Sequence, residues 1–329
     1  MKRERYLSIY KAAENFFRSR HEGDEYMKKR GISKETADEF GIGAAPAKGF
    51  EFVQEMQRQG ISGWELQEAG LLNSAGKAMF FNRLMFPLKD EEGNTIGFSG
   101  RIMGDGEPKY LNTGETEYFK KGDVLFNYSQ AKLENKPFII CEGQMDVIAM
   151  CQAGFKNTVA AMGTAITDRQ KEMLGRNGTI TLCLDGDRAG TEKAIKNAMD
   201  LYPKPVNIVR LPGGHDPDEI LRAEGAEGLK KHLHGYTLPQ AYAIIMKEKF
   251  KTPEDANSVL RPKASHADYS KRAEIVLDRR IDVAQAVIPV LKKYSLDHRK
   301  DVEFLSDMTG FSPKDISMEL SRTNERLRF

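Results

Sequence analysis

Phe138-Ile-Ile-Cys-Glu142-Gly-Gln-Met-Asp146 is a short apolar run that ends on a carboxylate, with a second carboxylate one helical turn later. Thr181-Leu-Cys-Leu-Asp185-Gly-Asp187 repeats the arrangement, and His215-Asp216-Pro-Asp218-Glu closes a third strand-like run. Four-residue apolar runs bounded by glycine or proline read as buried strands. Working outward, strands are expected at 138–141, 158–161, 179–184 and 206–211. Helices are expected at 145–151, from 167, and at 189–201. Strands alternating with helices predict a parallel sheet with right-handed crossovers. In such sheets the binding crevice lies beyond the carboxyl ends of the strands. Six acids fall there: Glu142, Asp146, Asp185, Asp187, Asp216 and Asp218.

Carboxylates gathered at neighbouring strand ends repel unless a cation sits between them. Hard divalent ions such as Mg²⁺ take oxygen ligands and bridge to phosphates. A two-metal site clamps both oxygens of an in-line displacement, and a spare carboxylate can serve as base. Gly186 is expected to allow a bend that aims Asp185 and Asp187 at one point. Asp146 can turn back toward the strand end if a helix starts near 143. Each acid alone reads as an ordinary loop residue, and Asp218 alone as a helix cap. Six together read as a phosphoryl-transfer site.

The flanks differ in character. Residues 1–45 and 50–72 read as helical, with a small-residue loop at 41–49. A hairpin is expected from strands at 78–88 and 95–101 around Glu92-Gly-Asn94. Residues 104–121 read as a polar loop carrying Lys109, Tyr110, Asn112 and Lys121. With Arg83 and Arg101 these could neutralise phosphate, and a tyrosine can stack on a base. Residues 240–329 read as helical. The fold class is therefore α/β within an α+β whole. It comprises a mixed N-terminal subdomain (1–121), a subdomain with a mainly parallel sheet (122–239) and a C-terminal helical bundle (240–329).

Composition narrows the function. Net charge is +2 over 329 residues. Basic and acidic residues number 19 and 19 in 1–121, 14 and 15 in 122–239, and 17 and 14 in 240–329. Polyanion binding must therefore come from local patches. No apolar run is long enough to span a bilayer, and the charged N-terminus is unlike a secretory signal. Three cysteines without a CxxC pair argue for a reducing compartment, against a disulfide framework and against a zinc site.

The Glu142 and Asp185-Gly-Asp187 motifs resemble the Toprim domain, which primases, topoisomerases and some nucleases share. The flanks choose among these. Phe81-Asn-Arg-Leu-Met-Phe-Pro-Leu, Gly97-Phe-Ser-Gly-Arg101, Pro108-Lys-Tyr-Leu-Asn112, Phe119-Lys-Lys-Gly122, Asp185-Gly-Asp-Arg-Ala-Gly190 and Leu211-Pro-Gly-Gly-His-Asp-Pro-Asp-Glu219 are similar to signatures of the bacterial replicative (DnaG-type) primase. The resemblance runs from about residue 25 to about residue 235. Gln144 stands where the family carries an aromatic residue, and Gly114 where it carries serine-proline.

That resemblance implies a catalytic RNA polymerase core building RNA primers on single-stranded DNA from ribonucleoside triphosphates. It implies Glu142, Asp185 and Asp187 as catalytic. All six acids would hold two or more Mg²⁺ or Mn²⁺ ions. Arg83, Arg101, Lys109, Tyr110, Asn112 and Lys121 would bind nucleotide or nucleic acid. The expected setting is the bacterial cytoplasm, as a monomer, with no membrane partner. The replicative helicase would be reached only through a C-terminal domain not found in this chain. A Toprim nuclease, a topoisomerase fragment and a non-catalytic nucleic-acid-binding module are the competing readings.

Overall fold

The computed structural model describes residues 1–163, 165–175, 178–250 and 266–322. The expected helical region 240–329 therefore includes stretches, 251–265 and 323–329, that lie outside the described residues. Two compact units emerge, and neither is one continuous stretch of chain. The first takes Met1–Asn177, Cys183–Thr191 and Arg210–Leu233; the second takes Gly178–Leu182, Glu192–Val209 and His234–Phe329.

The first unit begins with α1 (Arg3–Arg18), α2 (Asp24–Lys29) and α3 (Lys34–Phe40), followed by β1 (Gly43–Ala45), α4 (Phe50–Arg58) and α5 (Gly63–Glu68). β2 (Arg83–Lys89), β3 (Thr95–Ile102) and β4 (Tyr110–Asn112) complete an antiparallel sheet in the order β1-β2-β3-β4. Three local expectations are corrected here. Residues 43–45, read as helix and loop, pair with 83–85 as a strand. Residues 110–112, read as loop, pair with 99–101. The 78–88 strand starts only at Arg83, because Asn82 sits at φ 51° and breaks the extended run. Pro87 survives inside β2 because β1 covers only residues 83–85, so no ladder bond is asked of its nitrogen on that side.

One face of this sheet is sealed by aromatic side chains from α1 and α4. Phe17 stacks on Phe52 with centroids 5.2 Å apart, and Tyr10 stacks on Phe98 at 5.4 Å. The buried phenols are satisfied: Tyr6 donates to the Ile96 carbonyl at 2.8 Å and Tyr10 to the Ala69 carbonyl at 2.6 Å. Each such ring contributes about 1.5–3 kcal/mol through burial.

After α6 (Tyr128–Ala131) come β5 (Ile139–Cys141), α7 (Gln144–Gln152), β6 (Thr158–Ala160) and α8 (Asp168–Met173). β5 and β6 are parallel, as the alternating pattern predicts. β7 (Ile180–Leu182), α9 (Arg188–Leu201) and β8 (Val206–Val209) continue the alternation, and β7 runs parallel to β8. α10 (Pro217–His232) and β9 (Gly235–Tyr236) follow, with β9 antiparallel to β8. The second unit ends with α11 (Leu238–Lys249), α12 (His266–Tyr294), α13 (His298–Thr309) and α14 (Pro313–Ser321). Their apolar stripes meet around Val283, Val287, Leu291, Leu305 and Ile316. No helix among the described residues is long and apolar enough to cross a membrane.

Candidate metal and nucleotide site

All six predicted acids belong to the first unit. β5 delivers Glu142 at its carboxyl end. α7 starts directly after, and Asp146 in its first turn accepts from the Gly143 N–H at 3.0 Å. The expected turn back toward the strand end is present. The 183–191 segment lies alongside, because the Cys183 N–H donates to the Ile140 carbonyl at 2.9 Å. α7 also packs against α10, which brings the Asp216–Asp218 turn to the same place.

Glu142 and Asp185 share a side-chain hydrogen bond, which two carboxyl groups can make only if one is protonated. Partial burial raises the Asp185 carboxyl to about 7, and that bond, the Glu142 charge, Asp216 and Asp187 add to the rise. Asp146 is buried, and burial drives it well above the usual carboxylate range; Asp216 and Asp185 push the same way, against the Gly143 amide. The mutual repulsion expected among these acids thus adds to burial in raising Asp146 and Asp185.

The predicted bend is present at Gly186. A side chain there would place Cβ 2.4 Å from the Leu211 carbonyl oxygen. The glycine is needed because two backbones touch: its N–H donates to the His215 carbonyl at 3.0 Å, stitching the Asp185 loop to the Asp216 loop. Asp187 is exposed, and its Oδ1 accepts from the Gly190 N–H at 2.7 Å in the first turn of α9.

Asp216 is the helix cap, not Asp218. Its Oδ1 accepts from the Glu219 N–H at 2.7 Å, and Glu219 returns the bond to the Asp216 N–H. Asp218 is 4% exposed and ion-paired to Arg30, with Arg222 at 3.4 Å. Burial raises its pKa, while Arg30, Arg222 and Arg101 oppose the rise. The Arg30 partner was not legible in sequence, since it lies 188 residues from Asp218, whereas Arg222 stands one helical turn away.

The basic flank divides. Arg101 Nε donates to the Tyr26 hydroxyl at 2.8 Å, and its Nη1 to the Tyr110 hydroxyl at 2.7 Å. Its guanidinium carbon lies 5.3 Å from the Tyr110 ring centroid. Burial pushes the Tyr110 phenol up to about 12; Arg101 opposes this, and Asp146 and Tyr26 add to it. Arg101 and Tyr110 thus stand beside the acids. Asn112 keeps a buried Oδ1 without a hydrogen-bond partner among the described residues. Lys109 is exposed and Lys121 half-buried. Arg83 departs from expectation. It is 4% exposed, and its Nη1 donates to the Gly100 and Pro108 carbonyls, so it braces β2 and the 108 loop.

Among the described residues, no three histidine, cysteine or carboxylate side chains converge closely enough to hold an ion as they stand. Mg²⁺ is commonly held by one or two carboxylates plus water and substrate phosphate, so a carboxyl pair suffices. The all-oxygen donor set fits that ion, and the shared proton of Glu142 and Asp185 marks where positive charge is wanted.

Comparison with known proteins agrees with this geometry. Residues 11–132 match the family described as DNA primase catalytic core, N-terminal domain, and residues 139–221 match Toprim-like. The DNA primase of Geobacillus stearothermophilus is 40% identical over 212 residues, covering 62% of this chain and 36% of that protein. The RNA polymerase domain of Mycobacterium tuberculosis primase DnaG, in complex with a double-stranded DNA oligomer with a 6-nucleotide overhang, superposes with a TM-score of 0.77 at 25% identity. That match covers 94% of this chain and 99% of that one. A DnaG primase catalytic domain bound to ssDNA superposes with a TM-score of 0.71 at 26% identity, covering 95% of this chain and 98% of that one. The chain spans well under half the length of its curated relatives, from 36% to 46%.

Proposed function

From a chain that carries the DnaG-type primase catalytic core joined to a Toprim domain, we propose DNA-templated synthesis of short RNA primers by nucleotidyl transfer. The Toprim domain implies divalent-metal use; Mg²⁺ or Mn²⁺ is our assignment. The observation that carries the reading is the acid cluster around Glu142, Asp146 and Asp185, with Tyr110 near Asp146 and its partner Arg101 near Asp218. In the reaction, the 3′-hydroxyl of one ribonucleotide attacks the α-phosphorus of the next triphosphate and pyrophosphate leaves.

Glu142 and Asp185 would hold the ion, with Asp146 in reserve behind them. Bound there, a divalent ion supplies charge stabilisation at the transferring phosphoryl group. Asp187 and Asp216 have one oxygen each engaged at a helix start and retain another for a second ion or its waters. Asp218 holds Arg30 and Arg222 in place. Arg101, locked by two phenol oxygens, keeps its remaining N–H groups for phosphate. Lys109 and Lys121 reach the strand backbone, and Asn112 Oδ1 accepts from a nucleotide. The partners are single-stranded template and ribonucleotides, and the setting is a monomer in the bacterial cytoplasm. We divide the labour among residues 1–121, 122–239 and 240–329 as subdomains for nucleic-acid contact, metal binding and helical support.

Incubation with single-stranded DNA, ribonucleotides and Mg²⁺ or Mn²⁺ should give short oligoribonucleotides. Glu142→Gln and Asp185→Asn should lose nearly all product. Product equal to the parent's in both variants would sink the assignment. Nicking or relaxation of supercoiled plasmid without primer synthesis would instead favour a Toprim nuclease or topoisomerase. Tight DNA binding without turnover would favour a non-catalytic module.

A further inference from the structure

A cleft of about 430 Å³ lies away from the acids, between α1 and the β2–β3 hairpin. Leu7, Ser8, Lys11 and Glu14 line it from one face of α1; Lys89, Gly93, Asn94 and Thr95 line it from the hairpin. Its volume falls within the range of small-ligand sites.

The charges inside do not balance. Glu14 is the single carboxylate lining it. Its short contact is with a neutral group: the Thr95 hydroxyl donates to its Oε2 at 2.7 Å. Lys11 Nζ and Arg18 Nη1 both stand 3.9 Å away, too far for a hydrogen bond. Arg18 is shared with Asp38 at 3.6 Å. The hairpin-tip acids are occupied elsewhere. Asp90 and Glu92 face Arg3 at 2.7 and 3.6 Å, and Glu91 pairs with Arg169.

Lys89 is the unusual group. Among the described residues, no hydrogen bond or ion pair within 4.0 Å engages its half-buried ammonium. Burial lowers its pKa, Glu14 opposes that at longer range, and Lys11 and Arg18 reinforce it. An ammonium withdrawn from water without a hydrogen-bond acceptor is costly. Here it faces a cleft with a second ammonium across it, on a different element.

We propose that this cleft binds a compact phosphate-class oxyanion, orthophosphate or pyrophosphate, between the ammonium groups of Lys11 and Lys89. A tetrahedral dianion offers separate oxygens to two ammoniums, and lysine is a competent point-charge partner for phosphate. The Ser8 hydroxyl, which now donates to the Arg5 carbonyl at 2.7 Å, has a lone pair for a protonated phosphate oxygen. The space left by orthophosphate admits the longer pyrophosphate.

The test is a two-dimensional NMR titration of the whole chain in metal-free buffer, with orthophosphate and with pyrophosphate in separate arms. The Gly93, Asn94 and Thr95 amides should shift saturably, and the tighter arm identifies the source. Lys89→Met and Lys11→Met, which keep the stem and drop the charge, should each weaken binding about tenfold, whereas Lys89→Arg should stay within about threefold. Primer synthesis should be unchanged in all three. Three results would each overturn the proposal: no saturable shift up to about 20 mM anion, binding as tight as the parent's in both Met variants, or shifts confined to the Arg101 region.

Discussion

Binding of Mg²⁺ should expel a proton from the Glu142–Asp185 pair, and the number expelled should change with pH in a calculable way. Asp185 titrates at about 7 with its proton shared with Glu142. A cation entering between the two replaces that proton. At pH 6 the pair is about nine-tenths protonated, so binding releases about 0.9 proton; at pH 8 the figure is about 0.1. Apparent affinity should therefore rise about tenfold between pH 6 and pH 8 and level off above. Calorimetry in two buffers of different ionisation enthalpy reads the proton count directly. Asp185→Asn should bring it close to zero. A count approaching two at pH 6 would add Asp146, whose carboxyl burial also raises. A count of zero at pH 6 would refute the shared proton and the ion position inferred from it. Stability follows with a definite sign. Because the folded pKa lies above the usual 3.8, the neutral pair favours folding most fully below about 3.8. That contribution is lost as pH rises through about 7. Without metal, Tm should fall across this window, and Mg²⁺ should restore it.

Arg30→Met should destabilise the protein by about 2–3 kcal/mol, since Asp218 is almost fully buried and keeps only the more distant charges of Arg222 and Arg101. Urea denaturation checks this, and Asp218→Asn in the same background should recover much of the loss; an unchanged midpoint would refute the pairing. Gly186→Ala should cost about 2–3 kcal/mol and weaken Mg²⁺ binding, because its Cβ would meet backbone that cannot swing aside. Gly63→Ala, which meets nothing within 4 Å, is the control and should be neutral or stabilising. Glu65 is held down to about 2, chiefly by the hydrogen bond from Arg5 and then by Ser62. Its stabilisation is present above the usual 4.5 and lost as pH falls through about 2. Arg5→Ala should move the Glu65 carboxyl titration, read by NMR, upward; no movement would refute the attribution.

Local pattern made the acids legible, and long-range pairing hid their partners. Glu142, Asp146 and Asp185 were found because a strand end followed by a tight connection is a local signal. Parallel pairing of β5 with β6 followed from alternation alone. Arg30, by contrast, follows directly on a charged six-residue helix that looks solvated, and nothing nearby announces an aspartate 188 positions away. Arg83 misled for the opposite reason. Its place beside an apolar strand looks like a phosphate arm, yet the same strand buries it, and a buried guanidinium must take the nearest carbonyls. Residues 110–112 carried no alternation strong enough to mark a three-residue edge strand.

The acids are held by different devices, and the difference says where an ion can enter. Asp218 carries two arginines; Asp187 and Asp216 each accept a backbone N–H at a helix start. Burial instead raises the carboxyls of Asp146 and Asp185, favouring their neutral forms. Asp146 is sealed, with its Oδ2 on the Gly143 amide, whereas Asp185 is only half-buried and in contact with solvent. A cation arriving from water therefore displaces the shared proton first, and the fixed acids around it supply field without having to move.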